Sequence, residues 1–109
     1  MSLTYLASPY SHANPLIRDA RFRAACAAAA KLMLAGEAVF SPIAHSHPIE
    51  YHFDAPRAFD FWMGQDLPIL RHCSVVKVLR LEGWDQSKGV TREIEVAKAA
   101  LIPVEYIDP

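Results

Sequence analysis

The chain has 109 residues, room for one packed core and too few for two domains of ordinary size. Apolar residues make up 52% and charged residues 21%, a balance that favours a folded globule over a disordered chain. Eleven basic residues against twelve acidic ones give a net charge of −1, so the composition does not suit duplex nucleic acid or an anionic membrane surface, and no apolar run is long enough to span a bilayer.

The N-terminus lacks a basic segment followed by an apolar stretch, so a cytoplasmic location is expected. Cys26 and Cys73 have no metal-ligand spacing and are expected as buried, reduced thiols. Leu3 to Ala7 reads as a first buried strand, stopped by Ser8-Pro9. Asn14 can cap a helix whose first position is Pro15, where the missing proline N–H costs nothing. This alanine-rich helix runs to Ala35, with Leu16, Ala20, Ala24, Ala27 and Leu34 near helical spacing, and Gly36 ends it as a left-handed cap. Glu37 to Phe40 gives a second strand, so a parallel β-α-β unit is expected.

Residues 43 to 56 contain Pro48, Pro56 and the histidines His45, His47 and His52 without a sustained period, and read as a loop. Arg57 to Cys73 is apolar at helical intervals, but Pro68 predicts a kink or two short helices. Ser74 to Leu81 is the strongest strand, apolar on both faces as the centre of a parallel sheet requires. After a loop at Gly83-Trp84-Asp85, a helix starts near Ser87 and runs through Ala100, with Val90, Ile94, Ala97 and Leu101 on one face. Pro103 to Ile107 returns as a last strand. The expected fold is α/β: a three-layer, doubly wound, Rossmann- or flavodoxin-like unit with a parallel sheet of four to five strands, occupying residues 1–109 as one domain.

In such sheets ligands bind beyond the carboxyl ends of the strands, near the point where strand order reverses. That rule selects three loops: Ser8 to Asn14, Ser41 to Pro56, and Leu81 to Gly89. A metal cluster of His45, His47, His52 and Asp54 matches no ligand spacing, whereas His45 and His47 flanking Ser46 suit a base edge or a phosphate. The four glycines form no phosphate-binding glycine loop, and there is no G-x-S-x-G elbow. The informative segment is Ser87 to Ala97. Gly89 lets a ligand approach the start of a helix whose free N–H groups favour an anion, and Glu93 lies about one turn further in. Ala97, stacked on Glu93, is expected to leave space over the carboxylate. Ser87 also reads as a plain N-cap and Glu93 as an exposed charge near a helix N-terminus.

Three segments resemble the nucleoside 2-deoxyribosyltransferase-like superfamily, including its branch that hydrolyses deoxynucleoside 5′-monophosphates. Thr4-Tyr5-Leu6-Ala7-Ser8-Pro9 resembles the first-strand signature, and Gln65-Asp66-Leu67 with Leu70 and Val75-Val76-Lys77-Val78 resembles the following helix-to-strand segment. Ser87-x-Gly89-Val90-x-x-Glu93-x-x-x-Ala97 resembles the catalytic helix. The resemblance implies that Glu93 is a nucleophile at the anomeric carbon, that Tyr5 orients it, and that Asp66 contacts the sugar or helps protonate the leaving base. Ser8, Tyr10, His45, His47, Ser87 and Gly89 are the expected substrate contacts. Serine at position 87 resembles the monophosphate hydrolases, where the transferases resemble an aspartate site, and Lys88 beside it favours a 5′-phosphate. Pro68 and Cys73-Ser74 depart from the pattern, and Asp66 also reads as the N-cap of a short helix. The expected activity is cleavage or transfer at the N-glycosidic bond of a 2′-deoxynucleoside or its 5′-monophosphate. It involves no metal and no cofactor, a small-molecule nucleoside or nucleotide as partner, and a homodimer or higher homo-oligomer. The alternative is a non-catalytic nucleotide-binding or sensing module of the same fold.

Overall fold

The computed structural model describes residues 2–109. Its elements are β1 (Thr4–Ala7), α1 (Pro15–Leu34), β2 (Val39–Phe40), α2 (Pro42–Glu50), α3 (Phe59–Leu70), β3 (Val75–Leu79), a 3-10 turn (Trp84–Gln86), α4 (Lys88–Ala99) and β4 (Val104–Ile107). The four strands pair in parallel in the order β2-β1-β3-β4. This is the flavodoxin-like winding, with its switch point between β1 and β3.

Side-chain alternation along the strands makes two cores. Tyr5, Ala7, Val76 and Val78 pack with Leu67 and Leu70 of α3 and Val90, Val96 and Ala97 of α4. Leu6 and Leu79 pack with Ala28 and Ala29 of α1 on the other face. Lys77, from the middle of β3, forms a two-pronged ion pair with Glu37 at 2.8 and 2.9 Å, and Thr4 donates to the same carboxylate. This joins the segment before β2 to β1 and β3.

Several expectations change at the level of packing. The buried stripe of α1 is Ala25, Ala28 and Ala29 with Leu32 against them, whereas Leu16 and Leu34 are 77% and 90% exposed. A helix so rich in alanine has little hydrophobic contrast around its axis, so periodicity sets its existence and not its rotation. Residues 42–50, read as loop, form α2: the Ser41 hydroxyl accepts from the Ala44 N–H at 3.1 Å and Pro42 occupies the first turn. Ser-Pro at that place is itself a helix-start signal. Pro68 does not split α3, because it lies in the last turn on the exposed side, while Leu67 and Leu70 stay anchored in the core. Asp66 is therefore well inside α3 and is no N-cap. Cys73 is buried and Cys26 only half-buried, both as free thiols. No helix among the described residues is long and apolar enough to cross a membrane.

Two helices end in the same hydrogen-bonded motif with different residues at its left-handed position. After α1, Gly36 has φ +99° and the N–H groups of Gly36 and Glu37 donate back to Met33 and Leu32. After α4 the same two bonds run from Leu101 and Ile102 to Lys98 and Ala97, but the residue at φ +58° is Leu101, which is 90% exposed. A leucine there carries a Cβ penalty without gaining burial. Leu101→Gly is expected to stabilise the chain by about 1 kcal/mol, read as a rise in the urea midpoint. An unchanged or lower midpoint would show that the leucine side chain has a partner in solution.

Candidate active site

The three loops selected from the sheet rule, with the helices they lead into, converge on a cavity of about 910 Å³ at the carboxyl ends of β1 and β3. One wall is a single stripe of α3, namely Phe59, Trp62, Met63 and Asp66. Packed beside it is the start of α4, which lines the cavity from Ser87 to Gly89 and on to Glu93. Glu93 shares the inward stripe of α4 with Val90 and Ala97, which is why a carboxylate is carried into the core at 3% exposure. Helical side chains lean toward the N-terminus of their helix, so the space over this carboxylate is left by Gly89, one turn earlier. Ala97, expected to provide it, is packed in the core and does not line the cavity.

Tyr5 lies beneath Glu93, fully buried, and its hydroxyl donates to Glu93 Oε2. Burial first, then the Glu93 and Asp66 carboxyls, push this phenol far above its usual range, so it remains a donor at all ordinary pH. Burial also pushes the Glu93 carboxyl up to about 8; the Tyr5 hydrogen bond opposes the shift and the negative charge of Asp66 adds to it. Asp66, 7% exposed, is pushed up to about 6 by burial. Two carboxyls with separated titrations thus face one cavity, the arrangement acid–base chemistry on a single substrate requires.

At the other polar positions, Ser8 is 4% exposed at the end of β1, and its Oγ lines the cavity with no hydrogen-bond partner among the described residues. The Ser87 hydroxyl accepts from the Val90 N–H at 3.2 Å as the N-cap of α4 and keeps its own proton for another acceptor. Lys88 places its ammonium 4.2 Å from the centre of the Phe59 ring.

His47 and Tyr10 both reach the cavity but are largely committed to each other. The Tyr10 hydroxyl lies 2.6 Å from His47 Nδ1 and donates to Glu50 at 3.0 Å, while the Tyr51 hydroxyl lies 3.2 Å from His47 Nε2. This network assigns the proton to Nδ1 and leaves Nε2 accepting. Burial, with Glu50 next, pushes the Tyr10 phenol upward. The imidazole also stacks on Phe22 of α1 at 4.1 Å, so His47 holds α2 against α1. His47→Ala is expected to cost about 2–3 kcal/mol in urea unfolding, from lost packing and orphaned hydroxyls. A cost near zero would assign the imidazole to ligand contact instead.

His45 does not join the cavity. Two positions apart on a helix is more than half a turn, so once residues 42–50 are α2 the two histidines point apart. His45 is exposed, tilts against Phe40 at 5.5 Å, and lines a smaller hollow of about 150 Å³ with Phe53, Phe61, Trp62 and Gln65. Asp66 and Trp62 lie on the boundary between the two hollows. Among the described residues no three His, Cys, Asp or Glu side chains stand close enough to share a metal ion. Sequence reasoning missed Arg18 and Arg21, which also line the cavity. Position 18 and position 21 lie three apart and so share one face of a helix, but nothing in the sequence says which way that face of α1 turns.

A family model described as "Domain of unknown function (DUF1937)" matches residues 2–108. The chain belongs to this family. No curated protein matches the DUF1937 chain in sequence. Among solved structures, the 2-deoxyribosyltransferase from the psychrotolerant bacterium Bacillus psychrosaccharolyticus is similar, with a TM-score of 0.67 and 20% sequence identity over 99% of this chain and 73% of that one. What the DUF1937 chain shares with that enzyme at this identity is the α/β fold, in agreement with the superfamily resemblance of the three segments above.

Proposed function

We propose that the chain cleaves or transfers at the N-glycosidic bond of a 2′-deoxynucleoside or its 5′-monophosphate. The observation that carries this reading is the buried Glu93 carboxyl facing a cavity while a permanently protonated phenol holds it from below. A carboxylate so fixed can attack the anomeric carbon as the bond to the base opens, giving a covalent glycosyl ester through an oxocarbenium-like transition state. Asp66, on the neighbouring helix and lining the same cavity, supplies the proton the departing base takes up. Water then attacks the ester to complete hydrolysis, whereas a second base completes transfer.

The start of α4 supports a 5′-phosphate. Its free N–H groups, the unspent proton of Ser87 and the ammonium of Lys88 face the cavity on the same wall as Glu93. The fold shared with a 2-deoxyribosyltransferase supports the reaction class. A second reading, a nucleotide sensor without turnover, is favoured by one property: with its carboxyl pushed up to about 8 by burial, Glu93 is mostly protonated at neutral pH.

The deciding experiment incubates the purified chain with each deoxynucleoside and each 5′-monophosphate, with and without a second free base, and follows released base by chromatography. Product that disappears in Glu93→Gln supports the enzyme. Tight binding with no product from any member of the panel supports the sensor.

A further inference from the structure

We propose that the cavity accepts a nucleoside 5′-diphosphate unit, its first phosphate at the start of α4 and its second held by Arg18 and Arg21. The proposal rests on the nucleotide reading above and narrows its substrate class. Arg18 and Arg21 extend the inward stripe of α1 that continues through Phe22, Ala25, Ala28 and Ala29, and both line the cavity at the carboxyl end of β1. Their chains are half-buried. No carboxylate lies within ion-pair distance of either among the described residues, while Arg23, pointing away, pairs with Asp19 at 2.8 Å.

The two guanidinium groups are held by backbone carbonyls instead. Arg21 donates to Ser11 O and Glu82 O at 3.0 Å each, tying the loop after β1 to the loop after β3 across the switch point, and Arg18 donates to His12 O. Such bonds fix the position of a guanidinium without neutralising it, and each group keeps further N–H donors free. Gly83 is part of the cradle. At φ +88° it is a position for glycine, and a Cβ there would stand 2.9 Å from Arg21 Nη2.

The second site lies next to the first along the chain. Only the 3-10 turn Trp84–Gln86 separates Gly83, against Arg21, from Ser87, the cap of α4, a spacing of roughly 8 Å at about 2 Å per residue. Side chains reaching inward from the two ends of that turn can meet adjacent phosphates of one ligand. Ser8 adds an independent sign of a polar occupant: its Oγ is buried on the same cavity and unpartnered among the described residues. The volume of about 910 Å³ is near the upper end of small-molecule sites, about 300–1,000 Å³, and leaves room beyond a sugar and base.

The test is calorimetric titration of the full chain, as Glu93→Gln so that no ligand turns over. The ligands are a 2′-deoxynucleoside, its 5′-monophosphate, its 5′-diphosphate, and a 5′-diphosphate ester. The diphosphate unit, free or esterified, is expected to bind at least about tenfold tighter than the monophosphate. Tightening with the free diphosphate identifies the nucleotide itself as ligand, and tightening with the ester alone identifies an ester. Arg21→Gln and Gly83→Ala are expected to collapse that ratio toward one. Arg18→Gln does the same without cutting the tie between the two loops, and so keeps the test open if Arg21→Gln fails to fold. Equal affinity for mono- and diphosphate, or a ratio that survives Arg18→Gln, overturns the proposal. If base release from nucleosides or monophosphates is observed without a diphosphate preference, only this inference fails. An arginine-dependent preference without cleavage of any nucleotide overturns the enzymatic reading and leaves the subsite standing.

Discussion

Glu93→Gln is expected to lower base release by at least about 10³-fold and, in the same protein, to raise stability by on the order of 2–4 kcal/mol at pH 7 to 8. The activity loss follows from removing the carboxylate proposed to attack the anomeric carbon. The stability gain follows from burial. Glu93 is nearly inaccessible, and its carboxyl is pushed up to about 8 in the folded chain from 4.5 in a solvated one. Between those values the unfolded chain has released the proton while the folded chain retains it, so this group makes stability fall as pH rises through that window. The cost is absent below the unfolded value and complete above the folded one. Glutamine keeps an acceptor for the Tyr5 hydroxyl and has no charge to desolvate. Thermal melts from pH 4 to 9 should show the two proteins converging at the acid end and separating as pH rises. A variant less stable than the wild type at pH 8 would mean that the carboxylate is stabilised by something other than Tyr5.

The second large effect concerns pH and rate. Asp66 and Glu93 sense each other's charge and titrate as a pair, with apparent values near 6 and 8. Catalysis as proposed needs the singly protonated pair, with Glu93 ionised and Asp66 carrying the proton. Accordingly kcat/KM is expected to rise through about 6, level off, and fall through about 8. Within that plateau the proton resides mostly on Glu93, so the competent arrangement is a minority that substrate binding must favour. Asp66→Asn removes the acid and a negative neighbour together. Its rate is expected to be about 10²-fold or more lower, rising through a single value below that of the wild-type upper limb with no descending limb. Tyr5→Phe acts in the opposite sense, because losing the donor pushes the Glu93 carboxyl further up and shifts the upper limb to higher pH. A wild-type profile flat from pH 5 to 9 would exclude the pair from the rate-determining chemistry.

Much of the fold was legible because local signals agreed with one another. Asn14-Pro15 and Gly36 marked both ends of α1, Ser87 capped α4, and the apolar run in β3 announced a strand covered on both faces. The failures share a cause. Ser41-Pro42 started a helix that three histidines and a second proline disguised as loop, and that error alone placed His45 beside His47 in the expected site. The rotation of α1 was illegible because alanine marks a helix without marking its inward face. This concealed Arg18 and Arg21, whose stripe reaches the cavity only after α1 docks.

The linear chain determined that a β/α alternation would form, that its loops would gather polar groups at one edge of a parallel sheet, and that a glutamate would lie one turn inside a capped helix. These are properties of neighbours, set by caps, turns and periodicity. Only the tertiary structure decided that Tyr5, 88 residues away, would come to lie under Glu93, that Asp66 would face them from another helix, and that burial would drive the two carboxyls apart in acidity. Desolvation belongs to the assembled core and has no counterpart in a stretch of sequence.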